Sequence, residues 1–310
     1  MRFFDLHCDT LYKMTIENKD IYKNDFNVDI ERSLKYCPYV GCFAVWIPDE
    51  IRGDEAFDFF NRAVLKLSNQ EKLYKKYFKI CKSFKDIDNL NLEKRQGIVL
   101  TVEGGGVIGG KIENLKKLYD AGVKIMTLTW NGRCEIGSGA NFDEGLTDFG
   151  YEVVKEMEKI GIIIDISHAS EKLFYDVSKV ATKPFIATHS NSKVMCNHRR
   201  NLTDEQFRTI KSVGGLVGIT FCSYFLSDKD KDKVDIDQLE KHIEHFLELG
   251  GEDFLALGSD FDGAELPYDI SGIESIENIY EYFLKRNYGE VLLDKIFFKN
   301  AYNFMKINMR

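Results

Sequence analysis

At 310 residues, 44% hydrophobic and 30% charged, the chain has the composition of a soluble globular protein with ample material for a core. A net charge of −8 with no basic stripe excludes a nucleic-acid footprint, and no apolar run reaches the roughly 18 residues of a membrane span. Seven widely spaced cysteines with no C-x-x-C pair argue against a disulfide framework or a zinc knuckle, so buried reduced thiols are expected.

The first predicted strand, near 2–7, follows a single basic residue, so no signal peptide is expected and a reducing cytoplasm fits. It ends in His7-Cys8-Asp9; alternation along a strand places His7 and Asp9 on one face, where both reach one cation, and turns Cys8 away. A strand is predicted near 40–46, then a helix over 56–80 with apolar residues at three- and four-residue spacing. The strand near 97–103 (GIVLTVE) ends in Glu103, a carboxylate costly to desolvate unless it meets a cation or donors, and three glycines after it let backbone approach a ligand.

ENLKKLYDAG reads as a helix stopped by Gly122, and a strand near 123–129 follows. GYEVVKEMEKIG stops at Gly161 and leads into a strand near 161–167 that ends at His168. The next strand, near 184–189, ends at His189, so neighbouring strands present two imidazoles, common zinc ligands, side by side. Arg199 and Arg200 follow in NHRRN, where a guanidinium beside a metal pair suits a carboxylate; His198 is local to that loop. After a strand near 215–221 the run KDKDK at 229–233 reads as a solvated loop. The helix IDQLEKHIEHFLELGG stops at Gly250, with His242 and His245 expected on its solvent side. The strand near 254–259 ends in GSDFDG, carrying Asp260 and Asp262.

Eight strands alternating with helices, without a Gly-rich phosphate loop after the first, predict a single (β/α)8 TIM-type barrel over residues 1–310. His7, Asp9, Glu103, His168 and His189 all close strand-like runs, so the metal site belongs at the C-terminal ends of the strands. Three histidines and two carboxylates are enough to hold two divalent cations.

The motifs DLHCDTL, EGG at 103–105, GLTDFGYEVVKEMEKIGIIIDISHAS, THSNS with HRRNLTDEQ, and LALGSDFDG, in this order over nearly the whole chain, resemble the membrane (renal) dipeptidases and their bacterial relatives. The resemblance implies a metal-binding (β/α) barrel peptidase with two zinc ions, which other divalent cations could replace. It implies His7 and Asp9 on one zinc, His168 and His189 on the other, and Glu103 bridging them. It implies Asp260 as the proton-handling group that also holds the substrate amine, and Arg200 as the ligand of the substrate's C-terminal carboxylate. The reaction implied is hydrolysis of dipeptides, often with a C-terminal D-residue, by a hydroxide shared by the two cations, in a chain that pairs as a homodimer. Where the vertebrate enzymes have a histidine that polarises the scissile carbonyl, this chain has Trp130, an N–H donor only. The family's tyrosine after the seventh strand has Tyr224 as its candidate here.

Two rival readings follow from the same residues. An amidohydrolase-type deaminase or cyclic-amide hydrolase shares the barrel but has H-x-H on its first strand, where this chain has His7-Cys8-Asp9. A metal- or peptide-binding protein with impaired catalysis is the other, suggested by Trp130 and opposed by the complete ligand set.

Overall fold

The computed structural model describes residues 1–228 and 233–309, and the alternating-charge run at 229–233 lies outside them but for Lys233. Eight parallel strands share one sheet: β1 (Phe3–Cys8), β2 (Tyr39–Trp46), β3 (Phe78–Ile80), β4 (Gln96–Glu103), β5 (Ile125–Thr127), β6 (Ile163–Asp165), β7 (Val217–Ile219) and β8 (Leu255–Leu257). Their order is β6-β5-β4-β2-β1-β8-β7, with β3 against β4. The open edges of β6 and β7 meet across one short segment: Asp165 pairs with Ile186 and Ala187 with Val217. Ile186 N–H donates to Ile164 C=O at 3.0 Å, and Ala187 N–H donates to Leu216 C=O at 2.9 Å. With 186–187 as a stave the sheet is a closed barrel, which removes every edge between staves.

The eight staves coincide with the eight runs expected from sequence, and β3 is an addition. Along one edge of β4, β2 pairs with residues 97–103; along the other, β3 takes Gln96–Ile98 and β5 takes Thr101–Glu103. β5 is too short to satisfy the start of β4, and that need for backbone partners overrides the helical spacing of the sequence. The helix expected over 56–80 therefore ends earlier, spanning Gly53–Tyr74.

Nearly every stave contributes to one buried cluster that includes Phe4, Val40, Val99, Ile125, Ile163, Ile186, Leu216 and Ala256, which only a barrel interior can do. Phe298, Ala301, Phe304 and Met305 join it, so the C-terminal helix Asn300–Asn308 stoppers the end at which the strands begin. The other end is left for polar side chains. Gly122 and Gly161 cap their helices with φ of 111° and 91°, as the sequence predicts. His242 and His245 depart from expectation. His242 is fully buried, receiving Ser192 N–H on Nδ1 and donating from Nε2 to Leu226 C=O; His245 pairs with Asp204 at 2.8 Å. The helix Ile236–Glu248 turns both imidazoles toward neighbouring loops, whose backbone groups and carboxylate supply partners that a helical pattern does not reveal.

Candidate metal centre

The five residues singled out by position converge at the mouth of the barrel, all of them buried. Glu103 is the last residue of β4, in register with Trp46 and Thr127. Gly104 follows with φ of 105°, and a Cβ there would lie 2.9 Å from Ile47 C=O, so only glycine lets the chain turn directly after the carboxylate. Simple alternation does not bring His7 and Asp9 together. The register of β1 shifts between Asp5 and Cys8, and Asp9 has left the strand for the position before the helix Thr10–Ile16, where its side chain makes no capping bond. Their side chains still meet, with His7 Nε2 3.3 Å from Asp9 Oδ2. Cys8 is buried in the outer core, as expected.

Glu103 Oε1 lies 2.7 Å from His168 Nε2 and 3.4 Å from His189 Nε2, and the two Nε2 atoms are 2.9 Å apart. The other ring nitrogens decide what these atoms are. His189 Nδ1 is 2.8 Å from Thr188 Oγ1, whose own proton goes to Asp165 Oδ2 at 2.7 Å. His189 Nδ1 is therefore the N–H, and Nε2 carries a lone pair. His168 Nδ1 is 2.9 Å from Asn131 Oδ1, an acceptor, which leaves Nε2 bare in the same way. Three lone pairs face one point, an arrangement that a cation resolves.

On the other side of Glu103, its Oε2 stands 3.8 Å from His7 Nε2, and Asp260 Oδ1 stands 3.9 Å from that nitrogen. Two sets, His7–Glu103–His189 and His7–Asp9–Asp260, bring their ligand atoms within 4.8 Å of one another. Asp9 Oδ1 is buried without a hydrogen-bond partner. The donor set of imidazoles and carboxylates fits zinc, and the orphaned oxygen and facing lone pairs fit a pair of divalent cations.

The electrostatics agree. Burial pushes His7 down, but Glu103 and Asp9, then Asp260, draw it up to about 10. Burial and the Glu103 charge raise Asp9 to about 7, and burial raises Asp260. Burial opposes ionisation of Glu103 too, but His7, His189 and Arg200 outweigh it and hold the carboxyl below its usual range. His168 and His189 fall well below the ordinary imidazole value, first through burial, so they stand as neutral imidazoles. His168 and Asp260 also have left-handed backbones, φ of 67° and 63°, a cost borne by few non-glycine residues outside functional sites.

A cavity of about 330 Å³ opens over the ligands, lined by Asp9, Glu103, His168 and Asp260 and walled by Tyr12, Trp46, Trp130 and Phe225. Trp130 meets Trp46 edge to face at 4.9 Å and sits 6.1 Å from His168. Tyr224 is half exposed at the rim. Arg200 is buried against the Phe225 ring, 5.3 Å from its centre, rather than on the cavity wall; one Nη donates to His189 C=O, and its Nε has no partner. Asp262 is separated from Asp260: it accepts from Thr10 Oγ1 and from Asn27 N–H, and serves the loop.

Sequence reading passed over the residues that orient the ligands. Asp165 accepts from Thr127, Ser167 and Thr188. Asp5 accepts from Ser259 Oγ at 2.6 Å, from Ser259 N–H and from His7 N–H, and burial pushes its carboxyl up to about 7. Both acids stand inside apolar strands, which is the signal that could have found them: a buried carboxylate has to be partnered.

A sequence profile of the family described as "Membrane dipeptidase (Peptidase family M19)" matches residues 1–309. A Klebsiella pneumoniae protein from the pqqA 5′ region, itself uncharacterized, is 34% identical over 238 residues, 74% of this chain and 88% of its own. A metallo peptidase from Rhodobacter sphaeroides, solved with a phosphinate mimic of the dipeptide L-Ala-D-Ala, is 24% identical with a TM-score of 0.93, over 100% of this chain and 99% of that one. The dipeptidase AC structure, at 24% identity and a TM-score of 0.94, covers the same shares. At that identity the two structures establish the shared fold.

Proposed function

The chain belongs to the membrane dipeptidase family and is a metal-dependent dipeptidase, and from that premise we propose that it works with two zinc ions in one barrel peptidase domain spanning residues 1–310. His7 and Asp9 would hold one ion and His168 and His189 the other, with Glu103 available to both. When bound, the ions supply Lewis acidity that lowers the pKa of a water and polarises the scissile carbonyl.

The remaining roles fall to the chain's own side chains. Asp260 takes a proton from the attacking water and delivers it to the leaving amine nitrogen, a task suited to a carboxyl whose pKa burial raises. The same carboxylate holds the substrate's amino group. Arg200, whose unpartnered Nε lies behind the Phe225 wall, is the residue we assign to the C-terminal carboxylate, which it reaches only if the Phe225 ring turns aside. Reading both free ends limits the substrate to short peptides, including those with a C-terminal D-residue. Trp130 and Tyr224 bound the substrate, and the aromatic wall keeps bulk water from the scissile bond. The protein acts in the cytoplasm and pairs as a homodimer.

The observation that supports this reading best is the convergence of Glu103 Oε1 with the bare Nε2 atoms of His168 and His189. Metal analysis paired with a dipeptide panel of L-L and L-D members tests it. Two zinc ions per chain with turnover are expected, and Glu103→Ala or His189→Ala is expected to abolish hydrolysis while the far-ultraviolet circular dichroism stays unchanged. Hydrolysis retained in both variants would sink the assignment. Two bound ions with no turnover on the panel would favour a binding role instead.

A further inference from the structure

His168 and His189 are oriented by unlike devices. His189 rests on a charged relay, Nδ1–H to Thr188 Oγ1 and Thr188 to the Asp165 carboxylate, all at most 2% exposed. His168 rests on a neutral amide, Asn131 Oδ1, and Asn131 itself lines the cavity. The loop that carries Asn131 grips His168 a second time, because Ala140 N–H donates to His168 C=O at 2.8 Å while Asn141 N–H closes the loop onto Asn131 C=O at 3.1 Å. His168 needs such a grip: its φ of 67° is an unfavourable backbone state for a residue with a Cβ.

We propose that Asn131 is a positioning residue for the cation held by His168 and His189, fixing the His168 tautomer so that its Nε2 lone pair points at Glu103. This rests on the two-cation reading above. An acceptor at Asn131 Oδ1 commits the proton to Nδ1; with that acceptor gone, the imidazole is free to carry its proton on Nε2, where it blocks the ligand position. The choice is specific to the His168 side, because neither His7 nor the Thr188–Asp165 relay is bonded to Asn131. Because the loop runs from Trp130, it joins the substrate wall to one of the two cation positions.

The test is a Co2+ titration of the full chain, freed of metal by a chelator, read by visible absorption, with His168→Ala marking which binding event belongs to this position. In Asn131→Leu that event is expected to weaken roughly 10- to 100-fold while the other is unchanged. Asn131→Asp, which keeps an acceptor, is expected to restore it to the parent's level or tighter. Thermal unfolding in the presence of chelator checks that the variants fold alike. Two binding events of parental affinity in Asn131→Leu would overturn the proposal, as would failure of Asn131→Asp to restore the weakened one. If the parent binds two Co2+ ions but hydrolyses no dipeptide, the dipeptidase reading falls and the titration still judges Asn131. If the parent binds none, both fall.

Discussion

At the scale of single residues, the site is a set of lone pairs held in place by atoms that never touch a substrate. Gly263 illustrates how little slack remains. A Cβ at this position would lie 2.0 Å from Asp9 Oδ2 and 2.7 Å from Asp260 Oδ1, so the glycine of the SDFDG turn leaves room for two acids. Gly263→Ala is expected to push Asp9 and Asp260 out of position and to lower kcat/KM for a dipeptide by about 100-fold, since misplacement by about 1 Å has that effect. Its circular dichroism is expected to match the parent's; parental kcat/KM would show that the two carboxylates tolerate displacement. The five candidate ligands were legible as a converging set because each is a polar residue at the end of an apolar run. Asn131 and Thr188 were not, because they act through one hydrogen bond to a histidine, and neither residue type nor spacing marks that bond.

At the scale of elements, strand-like runs rich in β-branched residues identified the eight staves, while β3 and the two partnered histidines of the helix Ile236–Glu248 depended on what lay beside them. His242 shows what such a dependence costs. Burial lowers its pKa to about 4, against 6.5 for a free imidazole, and its two bonds use the neutral Nε2–H tautomer. A base with a depressed pKa contributes stability that is fully present above pH 6.5 and is lost as pH falls toward 4, because the unfolded chain takes up the proton first. Urea unfolding measured from pH 7 to pH 4 is expected to lose up to about 3 kcal/mol from this group, a loss absent from His242→Gln. Equal losses in parent and variant would assign the acid sensitivity elsewhere.

At the scale of the whole molecule, the barrel separates stability from chemistry. The ligands occupy the ends at which the strands finish, and the helix Asn300–Asn308 seals the ends at which they start. Phe304, which is 5% exposed, packs in the interior cluster with Ala301 and Met305. Phe304→Ala is expected to reduce unfolding free energy by about 3 kcal/mol while leaving kcat per folded molecule unchanged. A fall in kcat at parental stability would show that the two ends communicate. Among the described residues no helix is long and apolar enough to cross a membrane.

The Asp5–Ser259 contact has a consequence for how the molecule is made. Asp5 is synthesised 254 residues before Ser259, the residue that supplies two of its three donors. Until that serine is synthesised, the first strand carries an acid it cannot bury without cost, and the long wait before docking belongs to the slow class of chain closures. Asp260, the next residue to emerge, arrives at His7 by the same event, through Asp260 N–H to His7 C=O at 3.1 Å. The last strand and the last of the clustered acids therefore dock together, and a product truncated before Ser259 has neither.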